Sequence, residues 1–228
     1  MYLINICASI PAENPESLRD KINRAFSFGA NYIEIRFDFL DLSDMEESLK
    51  IAENIREKAI FTLRTPEEGG KFKANDNDRI EWLKKLAMAK PMLLDIEYST
   101  IQSNDDLANY CKTQKIPVLL SWHDFEKTPP KDQLRYILEK MRVYSNHIKM
   151  VTTAINIVDA LRILDLYENA AESNLIAFSM GEAGIISRIM CTIIGRSPFT
   201  YAALEESIAP GQLTVVQMRE IYDKISPS

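Results

Sequence analysis

Short apolar runs alternate with helix-patterned segments along the whole of this chain, and that alternation constrains its fold more than any other feature. The runs are Leu3 to Ala8, Tyr32 to Phe37, Ala59 to Leu63, Met92 to Ile96, Ile116 to Ser121, His147 to Val151, Leu175 to Phe178 and Phe199 to Tyr201. They are continuous rather than alternating, as expected of parallel strands covered on both faces. Between them, apolar residues recur at helical spacing, as in Leu18, Ile22, Ala25 and Phe26, or Ile157, Ala160, Leu161 and Leu164. Asn14-Pro15, Ser43-x-x-Glu46, Asn156 and Thr214-x-x-Gln217 read as helix starts, and Gly29 as a stop. Further helices are expected near 78–89, 104–113, 131–142 and 183–194, and the longest loop at 65–77. Eight such units in 228 residues predict one domain, 1–228, folded as a single closed (β/α)8 barrel. An open doubly wound sheet is the alternative, but no G-x-G-x-x-G follows the first run.

Composition removes several function classes. With 27 basic against 33 acidic residues and a net charge of −6, the chain lacks a basic footprint for nucleic acid. No apolar run approaches the roughly 18 residues of a spanning helix, and no basic leader precedes Met1 to Ile6, so no membrane partner is expected. Cys7, Cys111 and Cys191 form no metal spacing and read as reduced thiols of a cytoplasmic protein.

In such a barrel the chemistry belongs at the C-terminal ends of the strands. Lys149 lies inside an apolar run, where burial disfavours an ammonium and favours the neutral, nucleophilic amine that a Schiff base requires. A lysine near a strand end can instead extend its head into water. Glu34, Arg36 and Asp38 share one side of the second strand by period two, either as an ion-pair network or as a site. Arg64 is placed to hold an anionic or hydroxylated ligand, and Gly69-Gly70 allows the next loop to approach it. Asp95 and Glu97 read as network members. His123, at the end of the fifth strand, is an acid/base candidate, whereas His147 lies at the opposite end of the barrel and reads as structural. Arg188 and the turn Ala209-Pro210-Gly211-Gln212 form a cationic corner suited to a phosphate or carboxylate.

Taken in order, Glu34-x-Arg36-x-Asp38, Arg64-x-x-x-Glu68-Gly69-Gly70, His123-Asp124-Phe125, Lys149, Ser187-Arg188 and Ala209-Pro210-Gly211-Gln212 resemble the type I 3-dehydroquinate dehydratases of the shikimate pathway. The resemblance runs nearly end to end. It implies a hydro-lyase of aromatic amino acid biosynthesis that needs no metal or organic cofactor and forms a homodimer. Lys149 would form an iminium with 3-dehydroquinate, His123 would act as base and then acid, and Glu68 would orient His123. Ser9, Glu34, Arg36, Arg64, Arg188, Ser207 and Gln212 would bind substrate, with the carboxylate on Arg188 and Gln212. Segments before Gln212 would close over the site. One position departs from the family: Ile208 stands where a serine is common, which implies weaker carboxylate binding unless Ser207 serves instead. A Schiff-base aldolase or transaldolase is the enzymatic alternative, and an inactive barrel that only binds is the other.

Overall fold

The computed structural model describes residues 4–170, 173–205 and 209–225. In chain order its elements are β1 (Ile6–Pro11), α1 (Pro15–Ser27), β2 (Tyr32–Arg36), α2 (Met45–Glu53), β3 (Ala59–Thr62), α3 (Asp76–Met88), β4 (Leu93–Glu97) and α4 (Tyr98–Ser103). They continue with α5 (Asp105–Thr113), β5 (Val118–His123), α6 (Lys131–Arg142), β6 (His147–Thr153), α7 (Ile157–Leu164), β7 (Asn174–Met180), α8 (Ile185–Ile193), β8 (Thr200–Ala203) and α9 (Val215–Ile225). All eight strands pair in parallel, in the order β7-β6-β5-β4-β3-β2-β1-β8. This is the expected α/β barrel. β7 and β8 face each other across its seam, where α8 packs on both and the Phe178 and Tyr201 rings meet at 6.2 Å inside.

Two apolar clusters follow from the alternation of side chains along each strand. One set, including Ile10, Ile35, Phe61, Leu94, Leu120, Met150 and Ala177, faces the helices. The other, including Cys7, Ile60, Leu93, Leu119, Ile176, Phe199 and Tyr201, fills the barrel interior. The interior cluster closes the lower barrel and thereby forms the floor of the site.

Several local expectations need correction. β1 runs from Ile6 to Pro11, with Ile4 and Asn5 before it and Leu3 outside the described residues, and this brings Ser9 into register with Glu34. The Ser43-x-x-Glu46 capping box does not form, because Ser43 lies inside a 3-10 turn and α2 starts at Met45 with no side-chain cap. α2 also ends at Glu53, a 3-10 turn at Arg56–Lys58 following it. α4 was not foreseen; it is one short helix inserted directly after β4, so nine α-helices rather than eight occur among the described residues. The Asn14, Asn156 and Thr214 caps do form, the last through reciprocal bonds with Gln217. On α7 the helical stripe is displaced: Ala160, Ile163 and Leu164 are buried, while Ile157 and Leu161 face outward.

Candidate active site

Period-two alternation carries the inward side chains from the apolar floor into a polar layer one step higher. Ser9, Glu34, Thr62, Asp95, Ser121 and Lys149 form this layer, with Ser9 beside Glu34, Thr62 beside Asp95 and Ser121 beside Lys149 in register. All six are buried. Lys149 Nζ lies 3.3 Å from Glu34 Oε1 and 3.4 Å from Asp95 Oδ2, and 4.2 Å over the Tyr201 ring. Its surroundings are therefore not the plain apolar ones that its strand implied; the amine is held by two carboxylates and an aromatic face.

Glu34 is fixed from several sides. Ser9 Oγ donates to Oε2, and Thr62 Oγ1 donates to Oε1 at 3.0 Å. Burial alone would raise its pKa, but Lys149, Arg36, the Ser9 hydroxyl and Arg64 outweigh burial and hold the carboxyl at about 2. Arg64 is almost fully enclosed. Its guanidinium donates to Ser121 Oγ at 2.6 Å and Asp95 Oδ1 at 2.8 Å, and pairs with Glu97 at 3.2 Å. Burial works against the cation, yet Asp95 and Glu97 raise its pKa. Arg79 Nη2 donates to Glu97 as well, so Asp95 and Glu97 are the network members that their positions implied.

His123 ends β5, and its Nδ1 lies 3.0 Å from Glu68 Oε2 in the loop after β3. Ser99 Oγ, at the start of α4, donates to the other Glu68 oxygen at 2.9 Å. Burial, then Arg64 and Lys149, push the His123 pKa well below its ordinary value, while burial raises that of Glu68. Both directions disfavour an ion pair. With Glu68 ionised, the contact is a hydrogen bond in which neutral imidazole donates from Nδ1 and Nε2 is the basic nitrogen. Asp124 is not part of this arrangement: its side chain accepts from the Glu126 and Lys127 amides and folds the loop. That fold stacks Phe125 on the His123 ring, with centroids 5.7 Å apart. A β-carbon on Gly69 would sit 3.1 Å from Phe125 Cζ, and one on Gly70 would sit 2.1 Å from the Arg64 carbonyl oxygen, so the paired glycines let the loop close over both residues.

Arg36 holds Asp38 through two bonds of 2.8 and 2.7 Å, and Asp38 also accepts from the Lys71 amide at 3.0 Å. Asp38 thus ties β2 to the glycine loop from a 3-10 turn just past the strand. On the opposite wall Arg188 is 2 % exposed, 4.3 Å over the Phe178 ring, and has no carboxylate partner among the described residues. Its Nε makes no hydrogen bond among the described residues, and burial lowers its pKa to about 10. Ser187 serves the fold, accepting from the Ser179 amide and donating to the Gly184 carbonyl.

These groups surround one cavity of about 110 Å³. Lys149, His123, Glu68, Ser9, Glu34, Arg36, Arg64, Arg188 and Gln212 all line it. Ser207 and Ile208 lie outside the described residues. Sequence reading missed Thr62, Ser121 and Tyr201. Each lies at an inward position by period two, which was a usable signal, but nothing in their residue type distinguished them. His147 sits at the far end of β6, beside Asn174 at 3.3 Å and away from the cavity.

The chain matches the family model for type I 3-dehydroquinase over residues 6–227. It belongs to the type I 3-dehydroquinase family. A 3-dehydroquinate dehydratase of Dehalococcoides mccartyi is 39% identical over 210 residues, covering 88% of each chain. One from Pyrococcus abyssi is 37% identical over 208 residues, covering 90% of this chain and 93% of that one. Among solved structures, the 3-dehydroquinate dehydratase of Aquifex aeolicus superposes with a TM-score of 0.81 at 29% identity, covering 99% of this chain and all of the other. That of Geobacillus kaustophilus gives 0.86 at 24% identity and supports the barrel fold. Membership in this hydro-lyase family narrows what the lysine, histidine and arginine around the cavity have to accomplish. No helix among the described residues is long and apolar enough to cross a membrane.

Proposed function

We propose that the chain performs its family's reaction, the dehydration of 3-dehydroquinate to 3-dehydroshikimate, through a Schiff base on Lys149. One juxtaposition carries this reading: a buried lysine, a histidine oriented by a carboxylate, and a buried arginine without a carboxylate partner all line one cavity. The substrate carboxylate would complete Arg188, with Gln212 beside it. Glu34 and Arg36, which line the same cavity, would meet ring hydroxyls. Arg64, whose donors are taken by Asp95, Ser121 and Glu97, serves to hold that layer rigid.

The Lys149 amine, its proton passed to one of the flanking carboxylates, attacks the C3 ketone, and loss of water, which carries that proton away, leaves an iminium. That cation withdraws electrons and makes the C2 proton removable. Nε2 of His123 takes the proton, since Nδ1 is committed to Glu68. The electron pair then returns through the enamine, the C1–O bond breaks, and His123 gives its proton to the departing hydroxyl as water. Hydrolysis of the product iminium restores the lysine.

The test is the intact mass of the protein after 3-dehydroquinate and sodium borohydride, with Lys149→Ala run in parallel. One reduced adduct in the parent and none in the variant is expected. Product formation with no adduct would overturn the role of Lys149, and neither product nor adduct would favour the aldolase or the binding-only alternative.

The partner assigned to this reading is a second copy of the chain. The displaced stripe of α7 leaves Ile157, Val158 and Leu161 exposed close in sequence to Ile155, which is 75 % exposed, and these apolar side chains are the candidate contact. Leu161→Asp would then convert a dimer to a monomer in sedimentation, and an unchanged sedimentation coefficient would remove this face from consideration.

A further inference from the structure

Arg79 projects from α3, is buried and does not line the catalytic cavity, yet its guanidinium joins the three segments that hold Glu68. Nε donates to the Leu63 carbonyl at 2.9 Å, at the root of the glycine loop. Nη2 donates to Glu97 at the end of β4, and Nη1 donates to Thr100 Oγ1 in α4 at 3.2 Å. The Thr100 hydroxyl in turn donates to Glu97 Oε2 at 3.1 Å. The other Glu97 oxygen accepts from the Thr65 amide at 3.2 Å, and Thr65 Oγ1 accepts from the Glu68 amide at 3.3 Å. Glu68 is thereby held at two places: its backbone through Thr65 and Glu97, and its carboxylate through Ser99, the residue before Thr100.

Charge balance alone does not call for an arginine here. A lysine would also neutralise Glu97, but one ammonium head cannot address acceptors on three segments in fixed directions, as a planar guanidinium does. These bonds are charge-assisted and sheltered from water, so they hold their directions firmly. We propose that Arg79 is a positioning residue of the reaction: it fixes the Glu68 carboxylate, and through it the Nδ1–H tautomer of His123, without touching substrate. The proposal rests on the reading above in which His123 is the base. It also gives α4 a purpose, since the opening turn of that short helix carries both Ser99, which holds Glu68, and Thr100, which Arg79 holds.

The experiment is Arg79→Lys, which keeps the charge and loses the fork, made in the parent and in Glu68→Ala. All four proteins go through steady-state kinetics with 3-dehydroquinate and through nitrogen NMR of the histidine rings, which number only two in this chain. In the parental background kcat should fall about five- to tenfold, the worth of one hydrogen bond, with KM within about twofold. The His123 ring signals should move away from the Nδ1–H tautomer. In Glu68→Ala the same substitution should leave kcat where it was, because the group that Arg79 positions is already gone. A parental kcat, an unmoved tautomer ratio, or the same fold-loss in both backgrounds overturns the proposal, the last because it makes Arg79 merely structural. If Arg79→Lys does not fold, Thr100→Val, which removes only the hydroxyl joining Arg79 to α4, goes through the same cycle and is judged by the same outcomes. Parental kcat in Glu68→Ala alone is a different failure, that of the His123 reading, and the ring signals then still decide whether Arg79 governs the tautomer.

Discussion

His123 Nδ1 and Glu68 Oε2 lie 3.0 Å apart, although one residue ends β5 and the other belongs to the loop after β3. Because Ser99 holds the second Glu68 oxygen, the carboxylate is fixed from two sides and the imidazole can turn only one way. Glu68→Gln keeps the shape but loses the charge that selects the Nδ1–H tautomer. We expect kcat to fall by about 10²-fold, within the usual worth of a positioned base, with KM within about twofold. Steady-state kinetics on purified variants check this, and an unchanged kcat would show that His123 is oriented by its Phe125 stack alone.

The pH profile follows from the same pair. Catalysis requires neutral His123, and burial together with Arg64 and Lys149 lowers its pKa well below 6.5. Activity therefore falls as pH drops through that lowered value, and kcat/KM should stay flat from neutrality down past 6.5 before its acid limb begins. A limb centred at or above 6.5 would contradict the burial seen here.

Lys149 and Glu34 should be coupled in stability as well as in chemistry. Lys149→Ala leaves the Glu34 and Asp95 carboxylates facing each other without their cation, a loss of about 3 kcal/mol for a broken buried pair. For a chain of this size that is roughly a 10 °C drop in melting temperature. Adding Glu34→Gln to Lys149→Ala should recover part of it, and strictly additive effects would show no coupling. The folded Glu34 carboxyl sits at about 2, below its unfolded value of 4.5, so its contribution is complete above pH 4.5 and is lost as pH falls towards 2. In Lys149→Ala that loss should begin at higher pH.

Much of this architecture was legible because two periodicities do different work. Apolar runs located all eight strands, and the step of two from Glu34 to Arg36 pointed at the cavity, whereas Asp38, the third of that set, lies past the strand in a 3-10 turn. What the periodicity could not supply was which inward residues meet. Lys149 and Glu34 are 115 residues apart, and only closure of the barrel brings the amine to that carboxylate. Ser121 and Tyr201 were inward by the same rule but carried no chemical signal; their meaning comes from Arg64 and Lys149, which belong to other strands. Local capping rules failed at Ser43, where a 3-10 turn moves the N-cap to Asp44 and starts the helix one residue late. On α7, an apolar sequence on more than one side left the buried face ambiguous until Ile163 was seen to be inside and Leu161 outside.

Arg188 gives the sharpest separation of binding from folding. It is buried against Phe178 with an unbonded Nε and no carboxylate beside it among the described residues, so in the free protein the face of the Phe178 ring offsets only part of the desolvation of its charge. A substrate carboxylate would supply the missing partner. Arg188→Met keeps most of the volume and removes the charge, so the free protein should melt at the same temperature or higher. KM should nevertheless rise by about 10- to 100-fold, the usual worth of a charged hydrogen bond, with a smaller change in kcat. The parental enzyme should lose affinity in the same way as pH rises past about 10, where burial places the loss of the Arg188 proton. A less stable variant with unchanged KM would make Arg188 a packing residue and move the carboxylate site elsewhere in the cavity.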